Sequence, residues 1–315
     1  MLNMSDDKQV TEKFPLVSII TVNYNCAAIT CQMLESVYQI TYPNYEIIVI
    51  DNGSPDDDPK IIQDKFPQVT YIETGENLGF AGANNLGICM SKGKYILLIN
   101  NDTVVTPGFL EPLVNKMESD QRIGAVSPKI RYYYLPDTIQ YAGMTHINSY
   151  TVRSRAYGYM EKDYGQHDQD RISAYAHGAA MMVSREVVGK VGLMSLVFFL
   201  YYEELDWGIR IRNAGYKIYY VHNSLIYHLE SVATGKQSPL KTYYLNRSRL
   251  LYMRRNVRGI KSIFPILFQL LVAIPKNMSQ FLLQGRVDLF RAYCRAVRWQ
   301  IQTAFHKFIH QHPIC

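Results

Sequence analysis

The chain of 315 residues predicts an α/β fold, a mostly parallel sheet flanked by helices and followed by a basic helical region. Three observations predict it. Short apolar runs end one after another in Asn or Asp, and stretches of helical period separate them over short connections. Charge is also segregated, because residues 232–315 hold fourteen Lys or Arg and one acid, Asp288, while the preceding residues are net acidic. Buried parallel strands read as continuous apolar runs joined by crossover helices. Their carboxyl ends are where open α/β sheets bind ligands.

Residues 1–15 are polar and read as a loose leader, unlike a signal sequence. LVSIITV (Leu16–Val22) is the first strand and ends at Asn23, Tyr24 and Asn25; Cys26–Gln39 follows with Ile29, Met33 and Val37 at helical spacing. Tyr45–Ile50 is the second strand, terminating in Asp51, Asn52 and Gly53, and a helix over 57–66 leads to a third at Val69–Glu73. In ENLGFAGANNLG (Glu76–Gly87), Gly79 and Gly82 permit close backbone approach and Asn77, Asn84 and Asn85 supply amides. The fourth strand, Tyr95–Ile99, runs into Asn100, Asn101 and Asp102. Thr106 then predicts an N-cap and Pro107 the first residue of a helix reaching Asp120. Asn and Asp are also ordinary turn formers, so either a ligand role or a turn fits these residues taken alone.

Ile123–Tyr133 continues as strand. The polar, aromatic stretch over 134–170 is too long for a plain connection and suits a substrate-facing loop or lid. His177, Gly178 and Ala179 near the start of an apolar segment either leave room for a ligand or simply pack a strand. In Phe198–His228 a helix begins near Glu203 and stops at Gly215. Glu203, Asp206 and Arg210 share one face, with Glu204 a quarter-turn away. Carboxylates favour the positive end of a helix dipole, which is the structural reason for three acids here. The apolar residues before them supply a functional one, since burial raises a carboxyl pKa toward that of a general base.

No GxGxxG follows the first strand and no GxxxxGK[ST] occurs, which argues against a dinucleotide enzyme and a P-loop NTPase. The five cysteines have no metal-like spacing and read as thiols of a cytoplasmic protein. In the basic tail, Leu240–Val257 is helical, Ile263–Ile274 is apolar but bounded by Pro265 and Pro275 and so too short to span a bilayer, and Arg286–Ile309 is amphipathic. An anionic membrane surface suits such segments; so does packing as a helical subdomain with solvated charges. No nucleic-acid motif accompanies them, and no nucleic-acid partner is expected.

Taken together, VSIITVNYN (Val17–Asn25), EIIVIDNGSPDD (46–57), ENLGFAGANNLGI (Glu76–Ile88), LLINNDT (Leu97–Thr103) and YYEELDWGIRIRNAGYKIYYV (Tyr201–Val221) resemble the family 2 glycosyltransferases of the GT-A fold, most closely their bacterial rhamnosyltransferase-like branch. The resemblance covers roughly residues 16–230. It implies a catalytic domain over 16–232, with a nucleotide-sugar half (16–105) and an acceptor half (106–232), before a basic helical region over 233–315. Asn23 and Asp51, with Asn25 and Asn52 beside them, would meet the base and ribose, and Asn77, Gly79, Asn84 and Asn85 the diphosphate. Asn101 and Asp102 fall at the DxD-type position, where Asp102 would hold Mg²⁺ or Mn²⁺ with His228 as a further ligand. Asn100 stands where many relatives carry the first Asp. Glu203 and Glu204 match the ED motif, with Glu204 the preferred base and Asp206 beside it, and His177, Gly178 and Trp207 would lie on the acceptor side. The function implied is inverting, metal-dependent transfer from a dTDP- or UDP-sugar, rhamnose preferred, to a saccharide or lipid-linked acceptor at the inner face of the plasma membrane. A silent nucleotide-sugar-binding scaffold is the alternative, and a homo-oligomer is compatible with either.

Overall fold

The computed structural model describes residues 14–56, 58–148, 150–230, 237–257 and 259–304. Most of the expected leader, the boundary expected at residue 232 and the end of the basic tail lie outside the described residues.

The first half of the sheet is parallel. β1 (Val17–Asn23) pairs with β2 (Tyr45–Asp51) on one side and β4 (Tyr95–Ile99) on the other, and β2 pairs with β3 (Thr70–Glu73). Side chains alternate along these strands between two cores: Val17, Ile19, Leu97 and Ile99 enter one, Ile20, Ile96 and Leu98 the other. The first core is closed by α1 (Ala27–Val37), α2 (Lys60–Lys65) and α4 (Leu110–Ser119), the second by α3 (Gly79–Met90), α5 (Arg185–Val191) and α6 (Glu203–Asn213). With both faces covered, the strands must be apolar throughout, which is why they read as unbroken runs.

The second half is mixed rather than parallel. β5 (Thr103–Val105), β6 (Ile123–Tyr132), β7 (Ile139–Tyr141), β8 (Arg171–Ser173), β9 (Ala180–Ser184) and β10 (Lys217–His228) extend the sheet to the order β3-β2-β1-β4-β9-β6-β10-β5, with β7 on β6 and β8 on β10. β9 runs antiparallel between β4 and β6, β5 antiparallel to β10, and β6 parallel to β10. The expected cap at Thr106 is therefore replaced by edge pairing of Thr103–Val105. The Thr106 hydroxyl donates to the Leu225 carbonyl at 2.8 Å, and the helix starts only at Leu110.

The tail packs against the body. In α7 (Pro239–Asn256) the buried Arg247 donates to the Phe198 and Val197 carbonyls at 3.1 and 2.6 Å, and Ser248 Oγ to Leu200 at 2.8 Å. Ile263 to Leu283 is one continuous helix of 21 residues with mean hydropathy 1.4, made of α8 (Ile263–Phe268), a π turn (Gln269–Ala273) and α9 (Ile274–Leu283). The expectation that Pro265 and Pro275 cut it short is overturned. Pro265 sits in the first turn, where no intrahelical donor is missed. Before Pro275 the ladder shifts to the π register, with Ile274 N–H on Gln269 O, which absorbs the missing donor. At about 1.5 Å per residue the helix reaches the length of a bilayer core. α10 (Val287–Gln302) packs on α7, with Gln300 Nε2 donating to Arg247 O at 2.7 Å. Cys26, Cys31 and Cys294 are thiols, but Cys89 is disulfide-bonded, against the expectation for it.

Candidate active site

The strand ends and the start of α6 surround a cavity of about 710 Å³. Register aligns its floor, because Asn23 lies opposite Asp51 at the carboxyl edge of β1 and β2. Asn101 Nδ2 donates to Thr30 Oγ1 (2.9 Å), Thr30 to Asn23 Oδ1 (2.8 Å), and Asn23 Nδ2 to Asp51 Oδ1 (2.8 Å), which also accepts from Ser54 Oγ at 2.6 Å. Asn23 and Asp51 are buried in this network beneath the cavity, whereas Asn52, Asn77, Gly79, Asn101 and Asp102 line it. Asn52 Oδ1 accepts from Leu78 N at 2.9 Å and Asn77 Oδ1 from Gly79 N at 2.9 Å, so both amides shape the turn into α3. Gly79 is required there. Its φ is +71°, and a Cβ would stand 2.5 Å from Phe199 O.

The β5–β10 pairing sets His228 opposite Thr103 and so delivers His228 beside Asp102. Nε2 lies 3.0 Å from Asp102 Oδ1, while Nδ1 lies 2.8 Å from Gln140 Oε1. With Nδ1–H donating to Gln140, the Nε2 lone pair and the carboxylate converge on one point, which a proton or a cation must occupy. Adjacent ligands of an octahedral ion with bonds of about 2.1 Å are about 3.0 Å apart, so the pair fits a divalent metal. Among the described residues no group of three or more His, Cys, Asp or Glu could hold one. An ion here would take its other oxygens from a ligand and water, as Mg²⁺ commonly does. Asn100 Oδ1, also on the cavity wall, is buried without a hydrogen-bond partner.

The start of α6 is strained. Phe199, Tyr201 and Tyr202 have φ of 62°, 65° and 72°, and Phe199 O accepts from Phe80 N at 2.7 Å, tying this segment to α3. Glu203 and Glu204 follow it into the cavity, and one carboxyl oxygen of each is buried without a partner. Burial, with the neighbouring Glu204 charge, lifts the Glu203 pKa well above the ordinary range. Burial also pushes Glu204 up to about 7, against backbone N–H donors at the helix start that favour its ionised form. His177 is held down to about 3 by burial and by His228, and its Nδ1 accepts from Ala179 N at 3.1 Å, which leaves Nε2–H as a neutral donor. Gly178 lies against the Glu204 carboxyl, its Cβ position 3.7 Å away.

Other expected site residues lie elsewhere. Asp206 is buried in ion pairs with Arg210 (3.3 Å) and Arg255 (3.2 Å), and accepts from Asn256 at 3.1 Å. Trp207 is fully buried in the second core, its Nε1–H on Gly192 O. Asn84 donates to Phe80 O one turn back, and Asn85 grips the Met194 backbone. Asn25 ties down the Ser54–Asp56 turn. None of these five lines the cavity. Gln140, Arg155, Tyr159, Tyr201 and Lys241 do, and were not singled out. Three of them belong to the long 134–170 stretch, whose length was the only signal pointing at them.

Residues 18–192 match the family model described as glycosyl transferase family 2. The chain is 24% identical over 244 residues, 70% of its length and 78% of the relative's, to N-acetylglucosaminyl-diphospho-decaprenol L-rhamnosyltransferase of Mycobacterium tuberculosis. Two solved structures share the fold at 16% identity: a mannosyltransferase from Pyrobaculum calidifontis in complex with GDP-Man and Mn²⁺ (TM-score 0.56, 93% of this chain and 76% of that one), and GalNAc-T7 with UDP, GalNAc and Mn²⁺ (TM-score 0.59, 94% and 59%). The family model spans more than half of this chain, on the GT-A scaffold described above. The chain belongs to the family 2 glycosyltransferases.

Proposed function

We propose that the protein is an inverting, metal-assisted glycosyltransferase that moves a sugar from a nucleoside-diphosphate sugar to a saccharide or lipid-linked saccharide in assembly of a surface polysaccharide. One observation carries this reading. Two carboxyls of raised pKa and a converging Asp102–His228 pair line the same cavity, together with acceptor oxygens that have no protein partner. Buried polar atoms of that kind mark a place where a polar ligand completes the hydrogen bonding.

Glu204 is the base. Its carboxylate takes the proton of the acceptor hydroxyl as that oxygen forms a bond to the anomeric carbon; the bond from that carbon to the diphosphate breaks, and the nucleoside diphosphate leaves. A single displacement inverts the anomeric centre. Asp102 and His228 would hold a divalent ion, which supplies charge neutralisation for the departing diphosphate. Glu203, carrying its proton, keeps a second negative charge from the base. His177 offers a neutral N–H to an acceptor hydroxyl.

The preferred donor is dTDP-L-rhamnose, by similarity to the mycobacterial rhamnosyltransferase; UDP-sugars are the other candidates. The basic tail suits a position at the cytoplasmic face of an anionic membrane, and the apolar helix Ile263–Leu283 is long enough to enter that membrane. The test is a thermal-shift panel of dTDP, UDP, GDP and CDP with and without Mn²⁺, followed by NMR assay of the product anomer from the donor that binds. One nucleotide whose shift grows with metal, and an inverted product, are expected. A nucleotide shift without any transfer would return the protein to the scaffold reading, and no shift with any of them would reject both readings.

A further inference from the structure

The two carboxyls that reach into the cavity follow a strained backbone segment that contains no glycine. Phe199, Tyr201 and Tyr202 are left-handed, a state that an L-residue holds only where its surroundings over-determine it. What holds them comes from elsewhere in the chain. Arg247 Nη2 donates to Val197 O at 2.6 Å and Nη1 to Phe198 O at 3.1 Å, Ser248 Oγ donates to Leu200 O at 2.8 Å, and Phe80 N covers the Phe199 carbonyl between them. Each carbonyl from Val197 to Leu200 thus has a donor outside the segment. Arg249 Nε then donates to the Tyr202 hydroxyl at 2.9 Å, one residue before Glu203.

We propose that Arg247 and Ser248 of α7 are positioning residues for Glu204, so that the basic tail completes the catalytic site rather than merely packing on the domain. The proposal rests on the transferase reading for the role of Glu204. Arg247 is 9% exposed, and burial works against its charge. No carboxylate is among its partners within the described residues, and its Nε is buried without a hydrogen bond. An apolar side chain of that length would fill the same space without the cost of desolvating a cation. The guanidinium does what an apolar chain cannot, which is to bridge two successive carbonyls from one planar group. α10 fixes it in turn, with the Trp299 ring 4.3 Å from the guanidinium and Gln300 Nε2 donating to Arg247 O at 2.7 Å.

Side-chain bonds that fasten a tail to a domain are the ordinary explanation. It gives no reason for where these fall. Arg254, on the same helix, holds Gln300 Oε1 at 2.9 Å and Thr303 Oγ1 at 3.1 Å, at the end of α10. Three successive residues, Arg247, Ser248 and Arg249, instead reach the left-handed segment that enters α6. Phe198 O alone has three donors, Arg247 Nη1, Ser248 Oγ at 3.3 Å and Leu200 N at 2.7 Å. Freed from these bonds, the segment can relax out of the left-handed region and carry the first turn of α6 with it, which displaces Glu204 and admits water to it.

Four full-length variants test this beside the native protein: Arg247→Met, Arg247→Lys, Ser248→Ala and Arg254→Met. Turnover of dTDP-L-rhamnose with Mn²⁺ is one readout. The other is the titration of Glu204, followed by carbon NMR of protein labelled at its glutamate carboxyls and assigned by loss of the signal in Glu204→Gln. In Arg247→Met, kcat should fall at least about tenfold, as misplacement of a reacting group costs, with donor KM within about twofold of native because the cavity floor is untouched. Its Tm should not fall, since a buried charge has been exchanged for an apolar chain. Arg247→Lys keeps the charge but cannot bridge both carbonyls, and should recover part of kcat. In Ser248→Ala, Glu204 should titrate below its native value of about 7, toward the ordinary glutamate value of about 4.3. The cavity's other titratable groups are unchanged in that variant, so the shift reports the segment. Arg254→Met should lower Tm and leave both readouts native. A native Glu204 titration in Ser248→Ala, a native kcat in a folded Arg247→Met, or an equal loss of kcat in Arg254→Met would each overturn the proposal. Should Arg247→Met fail to fold, Ser248→Ala decides. A native protein without turnover counts against the transferase reading, while the titration, which needs no substrate, still decides this one.

Discussion

Asp102 and His228 are 126 positions apart in the chain, and Asp102 Oδ1 lies 3.0 Å from His228 Nε2. A three-residue strand makes the meeting possible: β5 follows Asp102 immediately and pairs with the end of β10, so backbone hydrogen bonds fix both side chains. Gln140 then orients the imidazole through Nδ1. If this pair holds the ion, Asp102→Asn and His228→Ala should each remove the metal-dependent part of nucleotide stabilisation. For the native protein the total stabilisation is about 2.7 kcal/mol at 100 times the dissociation constant. Gln140→Ala should weaken metal affinity by about 10–100-fold, the usual effect of removing a hydrogen bond that orients a ligand. Unaltered metal dependence in the Asp102 variant, read by thermal shift, would reject the assignment.

Glu204→Gln should lower transfer by at least about 10²-fold, the lower range for losing a general base, and leave nucleotide binding intact. The same carboxyl sets the pH dependence. Its pKa is raised to about 7, and only the ionised form accepts a proton, so turnover should rise with pH through about 7 and level off above. An ordinary surface carboxylate in this role would give a flat profile from about pH 5 upward. Rates measured between pH 5 and 9 distinguish the two.

Glu203 makes a prediction about stability instead. Its folded-state pKa is raised by burial, so its contribution is fully present below the unfolded value near 4.3 and is lost as pH rises through the folded value. Glu203→Gln, which cannot ionise, should therefore change Tm little at pH 5 and raise it at pH 8. A gain of about 1 kcal/mol would appear as a few °C. A lower Tm at pH 8 would show that the carboxylate is stabilised by contacts other than those seen.

The stretch over 134–170 supplies part of the cavity wall, and one buried carboxylate secures it. Asp163 accepts from Lys129 Nζ at 2.8 Å and from Arg131 at 2.6 Å, with Lys129 also paired to Asp168. Burial works against the charge, but these donors win and hold the Asp163 pKa to about 2. Asp163→Ala would leave Arg131 without its carboxylate and Lys129 with Asp168 alone, at about 3 kcal/mol, the lower end for breaking a buried pair. Denaturant unfolding should show that loss, and limited proteolysis should cut first within 134–170.

How much of this was legible in the sequence depends on how local each signal is. The first four strands, the start of α6 at Glu203 and the turn at Gly215 follow from apolar runs and punctuation within a few residues. β5 was hidden because its partner, β10, lies more than a hundred residues downstream, and Thr106 and Pro107 imitate a helix start. Motif position brought Asp102, His228, Glu203 and Glu204 together, but it could not tell which way a neighbour points. Asp206 and Trp207 sit on the same helix as Glu204, and the identity of their partners, Arg255 and the Gly192 carbonyl, is a tertiary fact. Asn85 likewise looked like a ligand amide until Met194, 109 positions away, was found to occupy it.

Two glycines of one loop separate backbone strain from steric fit. Gly75 and Gly79 have nearly the same φ, +74° and +71°, but a Cβ on Gly75 meets nothing within 4 Å, whereas one on Gly79 would stand 2.5 Å from Phe199 O and 2.6 Å from its ring. Both alanine variants bear the left-handed strain, about 1–2 kcal/mol. Only Gly79→Ala must also displace Phe199, adding about 1–3 kcal/mol for overpacking. Phe199 is the first residue of the strained segment that aims Glu203 and Glu204, and its carbonyl accepts from Phe80 N. The Gly79 variant should accordingly lose both stability and turnover, the Gly75 variant a little stability alone. Chemical denaturation with transfer assays on the two proteins makes the comparison, and equal losses would mean that contact between α3 and this segment does not position the base.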